Sequence, residues 1–204
     1  MIGILDFGMG NLRSVRNAVY QNGFDPVLIN TAANFDDISH LILPGVGNFS
    51  AAIPEIENRQ LRQPILNFVA SGRPLLGTCL GMQLLMTTGE EGGSYSGLDL
   101  IPGKVIRLEG DGLRVPHVGW NILNMEQAHP IFQNIKSGRD FYFVHSYVAV
   151  CEHSNDMLAS TEYGGVVTAV VGRNNVVGVQ FHPEKSQING LRLLENFCRW
   201  DGKC

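Results

Sequence analysis

No apolar run in the 204 residues approaches the length of a membrane span. The first residues, MIGILDFG, lack the basic region and layout of a secretory signal, so a cytoplasmic protein is expected. Charge is sparse, at 17% of residues, and nearly balanced to a net −4. That argues against nucleic acid or an anionic membrane as the main partner. The four cysteines, Cys79, Cys151, Cys198 and Cys204, form no C-x-x-C pair and are irregularly spaced. A zinc site or disulfide framework is therefore not expected, and no metal or cofactor is called for. Internal repeats, low-complexity tracts and an interdomain linker are also missing.

Glycine, by contrast, is plentiful: 24 residues suggest tight turns and close backbone approaches. In the first 90 residues, short apolar runs alternate with helical patterns. Strands are expected at Met1–Asp6, Pro26–Asn30, His40–Leu43 and Pro74–Thr78. Helices are expected from a cap at Asn11 through Gln21 and over Leu61–Ser71. Such alternation implies a parallel sheet covered on both faces. The second half reads as strands at Lys104–Leu108, Trp120–Met125, Phe141–Val150 and Met157–Tyr163. A hairpin follows, Val166–Val171 and Val176–Phe181 around Asn174-Asn175, then a closing helix over Ile188–Trp200. One α/β domain over residues 1–204, a mostly parallel sheet with an antiparallel extension, fits this pattern.

The stretch PLLGTCLGMQLL, Pro74–Leu85, places Cys79 between Gly77 and Gly81. G-x-C-x-G is the cysteine form of a nucleophile elbow, a sharp strand-to-helix turn that exposes the side chain at the sheet edge. The start of a helix there offers its dipole and free N–H groups to a thiolate or an oxyanion. On this pattern alone, a buried structural thiol is an equal reading. A base tips the balance. His182 follows an apolar strand in VVGVQFHPEK, and Glu184 lies two residues on. If the backbone stays extended past His182, both side chains point the same way, and the carboxylate orients the imidazole. Gly8-Met-Gly10 lacks the third glycine of a dinucleotide fingerprint, where Arg13 stands. Cys198 shares helical spacing with Leu191 and Leu194 and reads as core, while His40, His129 and His153 read as structural or solvated.

GTCLGMQ together with FHPE resembles the class I (triad) glutamine amidotransferases. DFGMGNLRSV, LPGVGNF, TCLGMQLL, PHVGWN, YFVHSY and QFHPEKS, in that order, resemble the glutaminase subunits of imidazole glycerol phosphate synthases. The resemblance implies a flavodoxin-like fold. It also implies glutamine hydrolysis with Cys79 as nucleophile, His182 as general base and acid, and Glu184 as orienter. One oxyanion donor would be the N–H of Leu80. A second, by resemblance, would come from the turn Pro44-Gly45-Val46-Gly47, which reorients when the partner binds its own ligand. Gly47, Gln83, Glu91, Ser146 and Tyr147 would bind glutamine.

The implied partner is a (β/α)8-barrel cyclase subunit that receives the ammonia in a heterodimer. The implied docking surface is Asn11, Val118, Trp120, Asn121, Tyr142 and Lys185, although core packing is an equal reading for Trp120. The family commonly reads PHMGWN. Val118 replaces that methionine with a shorter, stiffer side chain, which bears on partner fit and not on the triad. Three other readings use the same residues: a related glutaminase serving a surface-sugar pathway, a silent binding subunit, and a cysteine peptidase. The last lacks support from PHVGWN and YFVHSY.

Overall fold

The computed structural model describes residues 1–204. The first half lays down β1 (Ile2–Leu5), α1 (Leu12–Gln21), β2 (Pro26–Ile29), β3 (His40–Gly45), α2 (Phe49–Asn58), α3 (Arg62–Ala70), β4 (Leu75–Cys79) and α4 (Leu80–Leu84). Then come β5 (Met86–Gly89), β6 (Tyr95–Ser96), β7 (Ile101–Arg107), β8 (His117–Met125), β9 (Arg139–His145) and β10 (Tyr147–Cys151). The chain closes with β11 (Met157–Glu162), β12 (Val166–Arg173), β13 (Val176–Val179) and α5 (Gln187–Arg199).

The larger sheet runs β2-β1-β3-β4-β13-β12-β11-β8-β9. Its first five strands are mutually parallel, in flavodoxin-like order, and the rest are antiparallel. A smaller sheet, β10-β7-β5-β6, lies beside it. The parallel strands are apolar on both faces because both are covered. Leu41, Leu43 and Leu75 turn toward α2, α3 and α4, where they meet Phe49, Ile56 and Phe68. Ile42, Leu76 and Val177 turn the other way, toward Val15 and Val19 of α1 and Leu194 and Phe197 of α5. The period-two alternation of a strand thus feeds two separate apolar layers.

Three local expectations need correcting. Asn11 occupies the cap position of α1, but its side chain makes no capping bond. Phe141–Val150 is two strands in different sheets, broken at Ser146. Burial shows why: Phe141, Phe143 and His145 face inward, then the phase slips and Val148 is the next buried residue. Finally, α2 lies where no helix was expected. Pro54 sits inside it and removes one helical hydrogen bond. Burial of Phe49, Ala52, Ile53 and Ile56 along one face holds the helix regardless, and the Asn48 side chain caps it by accepting the Ala51 N–H at 2.9 Å.

Candidate active site

At the end of β4 the chain turns through Cys79, whose φ of 53° and ψ of −112° are strained for a non-glycine residue. The flanking glycines are there for room. A Cβ on Gly81 would lie 1.8 Å from the Leu43 carbonyl oxygen, and one on Gly77 would lie 2.6 Å from the Gly81 carbonyl oxygen. Without side chains, the chain folds back tightly enough to leave Cys79 at the carboxyl edge of the sheet, only 8% exposed. Leu80 opens α4, so its N–H has no acceptor within the helix. The helix has only five residues, so its dipole is small and the local N–H groups carry more of any anion stabilisation.

His182, the expected base, arrives from the neighbouring strand. β13 pairs with β4, and three residues beyond it His182 lines the same cavity as Cys79. The backbone after His182 does not stay extended as expected: Pro183–Lys185 is a 3-10 turn. The turn still delivers Glu184, whose Oε1 lies 3.0 Å from His182 Nδ1. β9 braces this turn. The His182 N–H donates to the Tyr142 carbonyl at 2.9 Å. The buried Ser186 hydroxyl donates to the His182 carbonyl at 2.6 Å and accepts the Tyr142 N–H at 3.0 Å.

Burial alone would lower the His182 pKa, but the neighbouring Cys79 sulfur and the hydrogen-bonded Glu184 carboxylate outweigh it and raise it to about 9. The imidazole is therefore charged at neutral pH and able to protonate a leaving group. A pH profile of glutamine turnover is expected to lose activity on its alkaline side as pH rises through about 9. The same shift links to stability. The folded value exceeds the unfolded 6.5, so this contribution is complete below 6.5 and is lost as pH rises through about 9. Thermal melting across that range measures it separately from turnover. The other half-buried or buried thiols behave differently: burial pushes Cys151 up to about 11 and Cys198 to about 12, which keeps both protonated.

A cavity of about 340 Å³ opens over the sulfur. Val46, Gly47, Leu80, Gln83, Glu91, Ser146, Tyr147 and Lys185 line it. The structure thus gathers nearly all the expected substrate-site residues around Cys79. Gly45 does not line the cavity; it is buried and paired in register with Cys79. Glu91 is fixed by accepting the Phe49 N–H at 2.8 Å. Gly47 needs to be glycine, with φ at 109° and the Met9 methyl 2.7 Å from where a Cβ would sit. The Val46 N–H does not point freely into the cavity; it donates to the Met9 carbonyl at 3.2 Å. The Gly8-Met9-Gly10 turn thus serves as an anchor for the Val46 peptide.

Pro116, Val144, His145 and His117 were not singled out from sequence. His145 lines the cavity, with Nδ1 3.0 Å from the Tyr147 carbonyl and Nε2 2.9 Å from His117 Nδ1. The carbonyl can only accept, so His145 carries its proton on Nδ1, and His117 in turn donates to His145 Nε2. Burial, reinforced by neighbouring His117, lowers His145 to about 4, so both rings are neutral polar links. A usable signal was present: both residues sit in apolar strand patterns, and they pair directly across β8 and β9. His40 and His129 are structural. His40 Nε2 lies 2.8 Å from the Trp200 carbonyl, and His129 accepts the Ile131 N–H at 3.2 Å. His153 is exposed.

The expected docking residues divide. Val118 and Trp120 lie on one face of β8, 55% and 48% exposed, and Trp120 packs edge-on to Tyr142 with centroids 5.8 Å apart. Half the Trp120 surface is therefore not core. Lys185 is exposed at the cavity mouth and Asn11 is half-buried at the start of α1. Asn121 points to the opposite face of β8, where its amide donates to the Glu162 carbonyl at 2.9 Å and lies 3.3 Å from His117 Nε2.

This sequence matches the family described as Glutamine amidotransferase class-I over residues 3–200. The chain belongs to that family. Among curated class-I relatives, the imidazole glycerol phosphate synthase subunit HisH of Desulfitobacterium hafniense is 44% identical over 200 residues, covering 98% of this chain and 94% of the relative. The same subunit of Syntrophotalea carbinolica is 46% identical over 203 residues, covering 97% and 98%. Among solved structures, a glutamine amidotransferase superposes with a TM-score of 0.77 at 20% identity, covering 98% of each chain. The Thermotoga maritima PurLQS structure superposes with a TM-score of 0.75 at 18% identity, covering 97% of each. These distant structures share the amidotransferase fold. No helix of this amidotransferase is long and apolar enough to cross a membrane.

Proposed function

We propose that this class-I amidotransferase, acting as one domain over residues 1–204, is the glutaminase subunit of an imidazole glycerol phosphate synthase. The observation that carries this is nearly full-length identity of 44–46% to curated subunits of that name. Cys79 and His182 lining one cavity, with Glu184 bonded to His182 from behind, support catalysis over a silent binding role.

In this reading, the Cys79 thiolate attacks the side-chain amide carbon of glutamine and forms the C–S bond. The resulting oxyanion is held by the Leu80 N–H and by the Val46 N–H once that peptide has turned away from Met9. The His182 imidazolium gives its proton to the departing nitrogen, and the C–N bond breaks to release ammonia. Neutral His182 then takes a proton from water, which attacks the thioester and frees glutamate and the thiolate. Glu184 keeps the imidazole oriented throughout. In water at neutral pH the ammonia would become ammonium, which has no lone pair. A covered passage into a (β/α)8-barrel cyclase keeps it nucleophilic. Because the Val46 N–H is bonded to Met9 in this chain alone, the uncomplexed subunit lacks one oxyanion donor and is a slow glutaminase.

The partner-facing surface in this reading centres on Trp120 and Val118, bordered by Tyr142, Asn11 and Lys185. Trp120→Ala is expected to weaken cyclase binding at least about tenfold while leaving thermal melting nearly unchanged, because the ring is an anchor that is half-exposed before docking. Titration calorimetry checks the first part and melting the second. The test of the function as a whole is glutamate release with and without the cyclase subunit and its nucleotide ligand.

A further inference from the structure

Gln180 lies between β13 and His182 and is fully buried, with 0% exposure. Neither the triad nor the substrate contacts described above use it. Its amide has two partners. Nε2 donates toward Cys79 Sγ at 3.9 Å, and Oε1 accepts from Gln83 Nε2 at 3.1 Å. Gln83 Nε2 also donates to the Tyr147 carbonyl at 3.1 Å.

That carbonyl fixes the direction of the whole row. A backbone carbonyl only accepts, so Gln83 must present its NH2 group there. The same NH2 group reaches the Gln180 oxygen, which turns the Gln180 NH2 toward the sulfur. A flipped Gln180 would set oxygen against sulfur and nitrogen against nitrogen. The sulfur also lies 3.8 Å from the Val144 carbonyl, a partner only for the neutral thiol. Once ionised, Cys79 loses that bond and needs donors. His182 lines the same cavity, and the Gln180 amide is the donor already aimed at the sulfur. An N–H to sulfur contact near 3.9 Å is long in the resting site and strengthens as the sulfur gains charge.

We propose that Gln180 is a further catalytic residue of this site, its buried amide N–H holding the Cys79 thiolate in line for attack and itself oriented by Gln83 and the Tyr147 carbonyl. The inference rests on the reading of Cys79 as the nucleophile. Gln180 adds a neutral donor that stabilises the thiolate without competing with His182 for the proton. The charged or titrating groups around the sulfur are His182 and Glu184 from the turn after β13, Glu91 from the loop after β5, Lys185 at the mouth, and neutral His145 from β9.

The test is alkylation of Cys79 by iodoacetamide as a function of pH, followed by peptide mass mapping so that Cys151, Cys198 and Cys204 are scored separately. Full-length wild type is compared with Gln180→Met and Gln180→Glu. Methionine fills similar space and has no donor. Glutamate keeps the length and the acceptor for Gln83 but sets a carboxylate at the sulfur. The expected result is a wild type labelled at Cys79 and a midpoint of labelling moved upward by about one pH unit or more in both variants. Labelling at neutral pH then falls on the order of tenfold, most in Gln180→Glu. A structural role would change melting temperature and leave the labelling midpoint in place. An unshifted midpoint in a folded Gln180→Met chain overturns the inference and leaves the nucleophile reading standing, because the carboxylate of Gln180→Glu raises the midpoint by repulsion alone. A wild type whose Cys79 resists the reagent at every pH overturns both.

Discussion

Replacing Cys79 with alanine is expected to stop glutamate release from glutamine, by at least about a thousandfold, and to leave synthesis from added ammonium salts intact in the complex. The reasoning is local. Cys79 is the sole thiol at the floor of the cavity, held in a strained turn beside a charged imidazole. Cys151 and Cys198 remain protonated thiols. Alanine fits the turn's small volume, so the scaffold and the docking face should survive. Ammonia supplied from solution bypasses only the step that needs the sulfur. Paired assays, one with glutamine and one with ammonium chloride, separate these effects. A variant that kept wild-type glutamate release would move the chemistry to another residue.

The second large effect is expected at a residue with no chemistry. Gly81→Ala should yield little folded protein, or a chain destabilised by more than about 4 kcal/mol. The new Cβ would sit 1.8 Å from the Leu43 carbonyl oxygen and 2.8 Å from its carbon, both backbone atoms of a buried strand. No rotamer relieves a backbone clash, so either α4 lifts away from β3 or the strand shifts. Leu80, Met82 and Leu84 of that helix lie in the apolar layer under the sheet, so lifting it also exposes core. Expression yield and thermal melting measure the outcome. Gly23→Ala makes a useful contrast. That glycine has a φ of +81° but no atom within 4 Å of a Cβ, so its cost is confined to backbone strain of on the order of 1 kcal/mol.

The two glycines of G-x-C-x-G also show what a sequence makes legible. Their spacing announced a turn with no room for side chains, and that is what surrounds Cys79. The parallel strands were readable because burial on both faces leaves continuous apolar runs such as Leu41–Leu43 and Val176–Val179. His182 and Glu184 were readable as neighbours, although a 3-10 turn and not an extended strand brings them together. α2 was hidden by Pro54, which local propensity treats as a stop and the apolar face overrides. The break at Ser146 was hidden because both flanking strands are apolar, and only the slipped phase of burial marks it.

Other features depend on contacts between distant segments and leave no local mark. Tyr147 accepts from both His145 and Gln83, and Gln180 reaches Cys79 from 101 residues away. Asn121 is placed by its motif with Val118 and Trp120, and strand alternation sets it on the other face of β8, bonded to the Glu162 carbonyl and beside His117. The bond from Val46 N–H to Met9 joins a turn after β3 to the Gly-Met-Gly turn after β1, whose glycines read locally as an incomplete nucleotide fingerprint.

If Cys79, His182 and Glu184 hydrolyse glutamine and the Val46 peptide restrains them until a cyclase partner engages, glutamate release depends on that partner. The most direct measurement is glutamate release from glutamine by this chain alone, then with the cyclase subunit of histidine biosynthesis, then with that subunit and its nucleotide ligand. Near-silence is expected from the chain alone, and stimulation of at least about a hundredfold with partner and ligand together. Full activity in the isolated chain, unchanged by the partner, would contradict it.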